Sequence, residues 1–171
     1  MQYVLVSACL LGRPVRYDGS HKHVAHDVLA AWLRAGRVVA VCPETAAGLP
    51  VPRPPAEVVG QGGGAAVLTG RARVMDAQGG DVSAAFVEGA AQALRQARQQ
   101  GIRLAVLKQD SPSCGTGTIY DGAFAGNRVA GLGVTAALLE SAGIRVFSED
   151  QFPQADAYLR LLEANAVRAP D

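Results

Sequence analysis

The sequence predicts an α/β domain in which helices cover both faces of a mainly parallel central sheet. Short β-branched runs alternate along the chain with segments that repeat apolar residues at helical spacing, as is typical of this class. The chain has 171 residues and is 49% hydrophobic, which is enough for the core of one domain over residues 1–171. Because no internal repeat or second domain is evident, we expect a single three-layer α/β/α, Rossmann-like domain.

Four short runs rich in β-branched and other apolar residues are predicted strands. They are "YVLVSA" at 3–8, "RVVAVC" at 37–42, "IRLAVLK" at 102–108 and "IRVFS" at 144–148. Each is followed by turn residues or by a segment with helical periodicity, which gives the alternation of a parallel sheet.

Four further segments are predicted helices, at 23–36, 81–101, 131–143 and 154–166. In the first, apolar residues recur with helical spacing at Val24, Val28, Leu29, Trp32 and Leu33. Ser20 is a candidate cap for its start, and Gly36 fits the position after its end. Asp81 and Gly101 bound the longest helix in the same way.

The stretch between the second strand and the longest helix is predicted to be irregular. Residues 43–64 are rich in Pro and Gly and are expected to form a loop without regular structure. The runs "AAVLTG" and "RARVMD" within 65–76 are expected to pair as a small hairpin. The "GQGGG" at 60–64 lacks the spacing of a dinucleotide-binding fingerprint and is interpreted as a flexible loop.

Charge and hydrophobicity argue against several classes of partner. The formal net charge is +1, so there is no basic surplus for a nucleic-acid duplex, whereas a nucleobase needs only a few contacts. No stretch approaches the ~18 apolar residues of a membrane span. The apolar start of the chain lacks the basic segment of a signal peptide. We therefore expect a cytoplasmic protein without a membrane partner; the sequence indicates no oligomeric state.

The three cysteines are the strongest indication of a functional site in this sequence. Cys9, Cys42 and Cys114 each follow or end a predicted strand. Because the carboxyl ends of parallel strands meet at the edge of the sheet where ligands bind, we expect the three sulfurs to face one site. An odd number of cysteines argues against a disulfide framework. The alternative is that each cysteine is a small buried hydrophobe.

Three thiolates form an incomplete shell for a metal centre. Structural zinc takes four ligands, usually from closely spaced cysteine pairs; no such pair is present, and His21, His23 or His26 would have to complete the set. A cubane [4Fe–4S] cluster normally takes four cysteines, so three would leave one iron open as a Lewis acid that suits a substrate sulfur. A structural zinc module, an iron–sulfur enzyme and metal-free sulfur transfer through a persulfide on Cys114 all stay open.

Polar residues beside the cysteines are candidates for catalysis and substrate binding. Glu44 is a candidate general acid or base, or else an ordinary surface carboxylate. Ser111 and Ser113 can bond a substrate or satisfy loop amides. Arg16 and Asp18 can hold a polar ligand or pair with each other in a turn. The three histidines of "HKHVAH" are interpreted as solvated residues at a helix start.

Six short motifs follow one another along the chain. They are "SACLLG" at 7–12, "RYDG" at 16–19, "CPE" at 42–44, "LTGRARV" at 68–74, "LKQDSPSCG" at 107–115 and "FSED" at 147–150. Together they resemble the thiouracil desulfidase (TudS) family, a bacterial group first catalogued as a domain of unknown function. The resemblance covers about residues 3–150, whereas residues 50–64 and the tail after 152 match no motif.

This resemblance implies a compact α/β fold and a [4Fe–4S] cluster held by Cys9, Cys42 and Cys114. It also implies desulfuration of a thiolated pyrimidine base, 2- or 4-thiouracil to uracil plus hydrogen sulfide, without net redox change. An open iron would take the substrate's sulfur, and water would replace that sulfur on the ring. The family's two acid–base positions fall on Glu44 and Ser111.

For such an enzyme we expect three polar residues of the cysteine loops to bind the thiolated base. They are Arg16, Asp18 and Ser113.

Overall fold

The computed structural model describes residues 1–168, in which strands and helices alternate. The strands are β1 (Val4–Ser7), β2 (Val38–Val41), β3 (Ala56–Val59), β4 (Arg73–Asp76), β5 (Leu104–Leu107), β6 (Thr118–Tyr120), β7 (Arg128–Ala130) and β8 (Arg145–Ser148). The helices are α1 (Asp27–Arg34), α2 (Pro43–Ala46), α3 (Gly63–Leu68), α4 (Ser83–Gln99), α5 (Val134–Ser141) and α6 (Phe152–Arg168). One 3₁₀ turn, Ala8–Leu11, follows β1 directly.

The central sheet is parallel and has the strand order β2–β1–β5–β8. Leu5 of β1 lies opposite Val39 on one side and Ala105 on the other. All residues of β1 and β5 are buried, because helices cover both faces of the sheet. The predicted α/β class and mainly parallel sheet are confirmed.

Helices α1 and α6 pack on one face of this sheet, and α4 and α5 pack on the other. Val6 joins the first layer of core with Trp32, whereas its neighbour Leu5 joins the second with Leu139. This alternation follows from the two-residue period of a strand. The indole nitrogen of Trp32 donates to Asp156 at 3.0 Å and ties α1 to α6. The three-layer arrangement is as predicted.

Residues 43–76 are more regular than their composition predicts. Helix α2 begins at Pro43, and α3 occupies the residues expected to form the first arm of a hairpin. Strand β4 pairs instead with β3, which places Val58 opposite Val74. Both valines are buried in a third cluster with Phe86 of α4. The predictions of a structureless loop at 43–64 and a hairpin within 65–76 are therefore wrong. The secondary structure here depends on apolar contacts with α4, which the local sequence does not reveal.

The first helix begins at Asp27 rather than at residue 23. Its cap is His26, whose Nδ1 accepts a hydrogen bond from the backbone of Val28 at 3.1 Å, so Ser20 does not cap it. Gly36 has φ +66° just past the helix end, as predicted.

The other predicted helices and strands lie where they were expected, with ends that differ by a few residues. The antiparallel hairpin β6–β7 was not predicted, because its three-residue arms are too short for a periodic pattern. Within residues 1–168, no helix combines the length and the apolar character needed to cross a membrane.

Candidate active site

A cavity of about 750 Å³ opens at the carboxyl ends of the parallel strands. All three cysteines line it, together with residues of the loops that follow β1, β2, β5 and β8. Its polar and charged lining includes Arg16, Lys22, Glu44, Glu57, Lys108, Gln109, Asp110, Ser111, Arg128 and Glu149. The structure thus brings the cysteines, which are distant in sequence, to one site at the ligand-binding edge of the sheet.

Each cysteine is positioned by the end of its own strand. Cys9 lies in the 3₁₀ turn after β1, and its carbonyl accepts the backbone N–H of Lys22 at 2.9 Å. Cys42 is the residue that precedes α2. Cys114 lies in the loop after β5, where its backbone N–H donates to Ser111 at 3.0 Å. Cys9 and Cys114 are buried, Cys42 is half-buried, and none is in a disulfide.

The thiols share one electrostatic environment. Burial raises the pKa of Cys9 to about 11, and burial also raises the pKa of Cys114. The nearness of Cys42 raises both pKa values further, so the sulfurs lie within electrostatic reach of one another. Without a metal these two thiols stay protonated at neutral pH, and a bound metal displaces their protons. Because a protonated thiol is a poor nucleophile, the persulfide route through Cys114 is disfavoured.

The donor set fits a polynuclear cluster better than a single ion. Donors around one zinc ion lie ~4 Å apart, given bond lengths near ~2.3 Å. Among residues 1–168, no group of three or more His, Cys, Asp and Glu side chains is arranged to hold one ion. No histidine lines the cavity that the cysteines share. Among the described residues, three thiolates around a common cavity, without a fourth thiolate or an imidazole, suit a cluster whose own sulfides bridge the metals.

Glu44 lies in the first turn of α2 and faces the cavity. Its Oε2 is 3.5 Å from the guanidinium of Arg53, which is itself only 5% exposed and also donates to the carbonyls of Val15 and Pro50. Burial raises the pKa of the Glu44 carboxyl, and the positive charge of Arg53 opposes that rise. A carboxyl group with a raised pKa, held in place beside a cavity, is suited to take up and return a proton.

Ser111 lines the cavity and also supports the Cys114 loop. Its Oγ accepts hydrogen bonds from the backbone of Ser113 at 3.1 Å and of Cys114 at 3.0 Å. Both of these bonds use the oxygen as acceptor, which leaves the hydroxyl proton free for donation. The structure confirms that this serine satisfies loop amides, whereas its donation to a ligand stays a prediction.

The three predicted substrate-binding residues differ in position. Arg16 lines the cavity. Asp18 is exposed and outside the lining; it accepts hydrogen bonds from the backbone and hydroxyl of Ser20, which lower its pKa. Ser113 is fully buried and bonds to Thr135 at 2.8 Å. We therefore do not propose Asp18 or Ser113 as substrate ligands, because both side chains are engaged in hydrogen bonds within the protein and neither lines the cavity.

Sequence reasoning missed an ion pair at this site. Lys108 Nζ lies 2.7 Å from Glu149, and both side chains are largely buried in the cavity wall. The second oxygen of Glu149 accepts the backbone N–H of Gln109 at 2.8 Å. Lys108 lies in the motif "LKQDSPSCG" and Glu149 in the motif "FSED". Opposite charges at the ends of two predicted strands could therefore have indicated this ion pair.

Arg53, Glu57 and the hairpin loop that carries Phe124 were also missed. The first two lie in the stretch assigned to a loop. Arg53 donates to the carbonyl of Val15, 38 residues earlier, and Glu57 accepts from Gly122, 65 residues later. No local pattern in the sequence predicts such contacts.

Comparison with known proteins identifies the family to which this chain belongs. The sequence model of the 2-thiouracil desulfurase family matches residues 4–151. The uncharacterized protein YbbK of Bacillus subtilis (strain 168) is 45% identical over 148 residues, which are 86% of this chain and 96% of that protein. A solved structure described as the [4Fe-4S]-dependent thiouracil desulfidase TudS superposes with a TM-score of 0.85 at 49% identity, over 94% of this chain and 99% of that chain.

The family match extends from the first strand to the loop after β8, so it includes every cysteine and every loop of the cavity. By sequence and by fold, this chain belongs to the 2-thiouracil desulfurase family.

Proposed function

We propose that this protein converts thiolated pyrimidine bases such as 2-thiouracil into uracil and hydrogen sulfide, using a [4Fe–4S] cluster held by Cys9, Cys42 and Cys114. One observation carries the proposal: in a member of this family, the three cysteines, Glu44 and Ser111 line a single cavity. The superposed structure is that of a [4Fe-4S]-dependent thiouracil desulfidase, which supports the choice of cofactor.

When bound, such a cluster supplies an iron without a protein ligand, a Lewis acid that binds the sulfur of the substrate. Glu44 accepts a proton from the water that attacks the ring carbon and returns it to the departing sulfur. Ser111 donates its free hydroxyl proton in a hydrogen bond to the ring. Both protons of the water leave with the sulfur and no electron is gained or lost, so the conversion is a hydrolysis.

The Lys108–Glu149 pair has a supporting role in this scheme. The positive charge of Lys108 lowers the pKa of Cys9, whereas Glu149 opposes that effect. Because Glu149 also bonds the backbone of Gln109, the pair fixes the start of the loop that carries Ser111 and Cys114. A cation held beside the thiolates offsets part of the negative charge that gathers there.

Anaerobic reconstitution tests the proposal. We expect about four irons per chain, a broad absorbance near ~400 nm, and equal amounts of sulfide and uracil from 2- or 4-thiouracil. The matched control is Cys42→Ser, which removes one ligand at a half-buried position. Protein that carries a full cluster yet releases no sulfide from either base would refute the proposed activity. Protein that folds only with zinc would instead support a structural metal module.

A further inference from the structure

Glu57 is a buried acidic residue that the proposed reaction does not use. It lies on β3, is 9% exposed, and lines the cavity. Its Oε1 accepts two backbone hydrogen bonds, from Gly122 at 3.0 Å and from Phe124 at 3.2 Å. No basic side chain within residues 1–168 forms a salt bridge with it. The carboxyl group therefore binds the hairpin loop with one oxygen.

The second oxygen, Oε2, has no hydrogen-bond partner among the residues that the structure describes. Within residues 1–168, Nε of Arg53 is the only side-chain polar atom that is both fully enclosed and without a hydrogen-bond partner, so Oε2 is not fully enclosed. Oε2 thus keeps access to open space although the residue is nine-tenths buried. Since Glu57 is part of the cavity wall, that open space is the cavity. A buried acceptor without a partner is costly unless a ligand or water satisfies it.

Phe124 lies in the loop between β6 and β7 and forms an adjoining part of the same wall. Its backbone has φ +55°, a left-handed conformation that is unusual for an aromatic residue, and its side chain is 40% exposed. The hydrogen bond from its N–H to Glu57 holds the residue in that conformation. Gly122 permits the close approach, because a Cβ there would lie 2.6 Å from the carbonyl oxygen of Val58. The loop thus keeps an apolar ring at the cavity.

We propose that Glu57 and Phe124 recognise the substrate ring: Oε2 of Glu57 accepts a hydrogen bond from a ring N–H, and the Phe124 ring stacks on the ring face. This inference rests on the proposed function, since a pyrimidine base has both a flat face and N–H donors. Stacking on an aromatic ring tolerates different bases. A buried acceptor, by contrast, rejects analogues that lack the donor, because it would then stay unsatisfied.

Both residues lie outside the six motifs of the sequence analysis, and Glu57 lies in the stretch 50–64 that matches none of them. They are therefore candidates for specificity rather than for the shared chemistry of the family. In this scheme the cysteines and Glu44 act on the sulfur and the water, and Ser111 donates a hydrogen bond to the ring. Glu57 and Phe124 add selection for the ring's free N–H group and flat face.

Binding of uracil, which has no sulfur to lose, isolates recognition from turnover. We would titrate uracil and 1,3-dimethyluracil into cluster-loaded protein by calorimetry. We expect the dimethyl compound, which has no ring N–H, to bind at least about tenfold more weakly. Equal affinity of the wild type for the two compounds would overturn the role of Glu57 even if no variant could be purified.

The substitution Glu57→Gln tests the roles of the two carboxylate oxygens separately. The amide carbonyl can still accept from Gly122 and Phe124, whereas the group facing the cavity becomes an NH₂ donor. We expect uracil affinity to fall about tenfold or more, the preference over 1,3-dimethyluracil to disappear, and limited proteolysis of the loop to stay slow. If the variant keeps the wild-type preference, Glu57 is a structural residue only and the inference is wrong.

Phe124→Leu keeps an apolar side chain but removes the ring face. We expect about tenfold weaker uracil binding and a matching rise in KM for thiouracil, with the effect on KM rather than on kcat. The control is Val129→Ala, an exposed position on the same hairpin and outside the cavity lining, which should change neither value. Unchanged uracil binding in Phe124→Leu would refute stacking.

The two proposals fail in different measurements. A wild type that carries a full cluster but releases no sulfide overturns the proposed function, whereas normal sulfide release with unchanged uracil binding in both variants overturns only this inference.

Discussion

The hydroxyl oxygen of Ser111 accepts the backbone N–H of Cys114 at 3.0 Å, so a candidate catalytic group and a candidate cluster ligand are joined by one hydrogen bond. The bond fixes the turn that points Cys114 into the cavity. If Ser111 acts as proposed, removal of its hydroxyl affects both the stability of the loop and the reaction.

Ser111→Ala should lower both the free energy of unfolding and the rate of sulfide release. Two loop amides lose their acceptor, which costs about 1–3 kcal/mol. Ser111→Thr keeps the oxygen and should restore most of the stability and part of the rate. Chemical denaturation of the apoprotein and a sulfide assay check the two effects separately. Loss of rate with no loss of stability would show that the loop does not depend on this hydroxyl.

Glu44→Gln should reduce sulfide release by about 10²–10⁴-fold, because the amide cannot carry a proton between water and sulfur. The iron content and cluster absorbance should match those of the wild type, since Glu44 is not a proposed ligand. Single-turnover sulfide release and iron analysis are the measurements. A variant that keeps more than about half of the wild-type rate would remove Glu44 from the proton pathway.

Replacement of any one cysteine should abolish cluster binding but leave a folded protein. Cys42→Ser suits the half-buried position, whereas Cys→Ala at the buried Cys9 and Cys114 avoids burying a new hydroxyl. Iron analysis should give close to zero, and the circular dichroism spectrum should match that of the apoprotein. A variant that retains a full iron complement would exclude that cysteine from the ligand set.

Gly133→Ala should destabilise the Cys114 loop by at least about 2 kcal/mol. A Cβ at Gly133 would lie 2.4 Å from the backbone of Ser113 and 2.8 Å from the nitrogen of Cys114. Gly117→Ala is the control, because its Cβ would meet only the amide end of the Gln109 side chain at 3.3 Å. We expect the control to change stability by less than about 0.5 kcal/mol. Equal melting temperatures for the two variants would contradict the packing described here.

Arg37→Gln should destabilise the protein at pH 7 more than at pH 3. The hydrogen bond from Arg37 to Glu163, 2.9 Å long, lowers the pKa of the carboxyl group. A lowered pKa in the folded state stabilises the protein above the carboxyl's unfolded pKa, and that stability is lost as the pH falls through the folded value. The pair is partly exposed, so we expect about 0.5 kcal/mol at pH 7 and less at pH 3. Denaturation of Arg37→Gln and of the exposed control Arg103→Gln at both pH values tests this, and a pH-independent difference would contradict it.

The placement of the cysteines shows what the sequence can predict. Each follows an apolar strand, and the chirality of parallel connections brings such strand ends to one edge, so their meeting at one cavity follows from local patterns. Glu44 and Ser111 were found in the same way, as polar neighbours of the cysteines.

Residues whose positions depend on contacts between distant segments could not be found in this way. Glu57 lies on a short strand between Pro- and Gly-rich turns, and its importance depends on a loop 65 residues further along the chain. Arg53 was missed for the same reason, because its position depends on a hydrogen bond to the carbonyl of Val15, 38 residues earlier in the chain. For Ser113 the error was the opposite one. Its position beside Cys114 suggested a side chain in the cavity, but the hydroxyl is buried against α5, where it bonds to Thr135.

The strand order β2–β1–β5–β8 also constrains how the protein matures. The three thiols proposed to hold the cluster come from both halves of the chain, and the last of them is residue 114. A nascent polypeptide on the ribosome cannot offer a complete trio until that residue has emerged and β5 has paired with β1. If the three thiols hold the proposed cluster, its delivery must wait until β2, β1 and β5 have paired, although β8, at residues 145–148, can still be missing at that point.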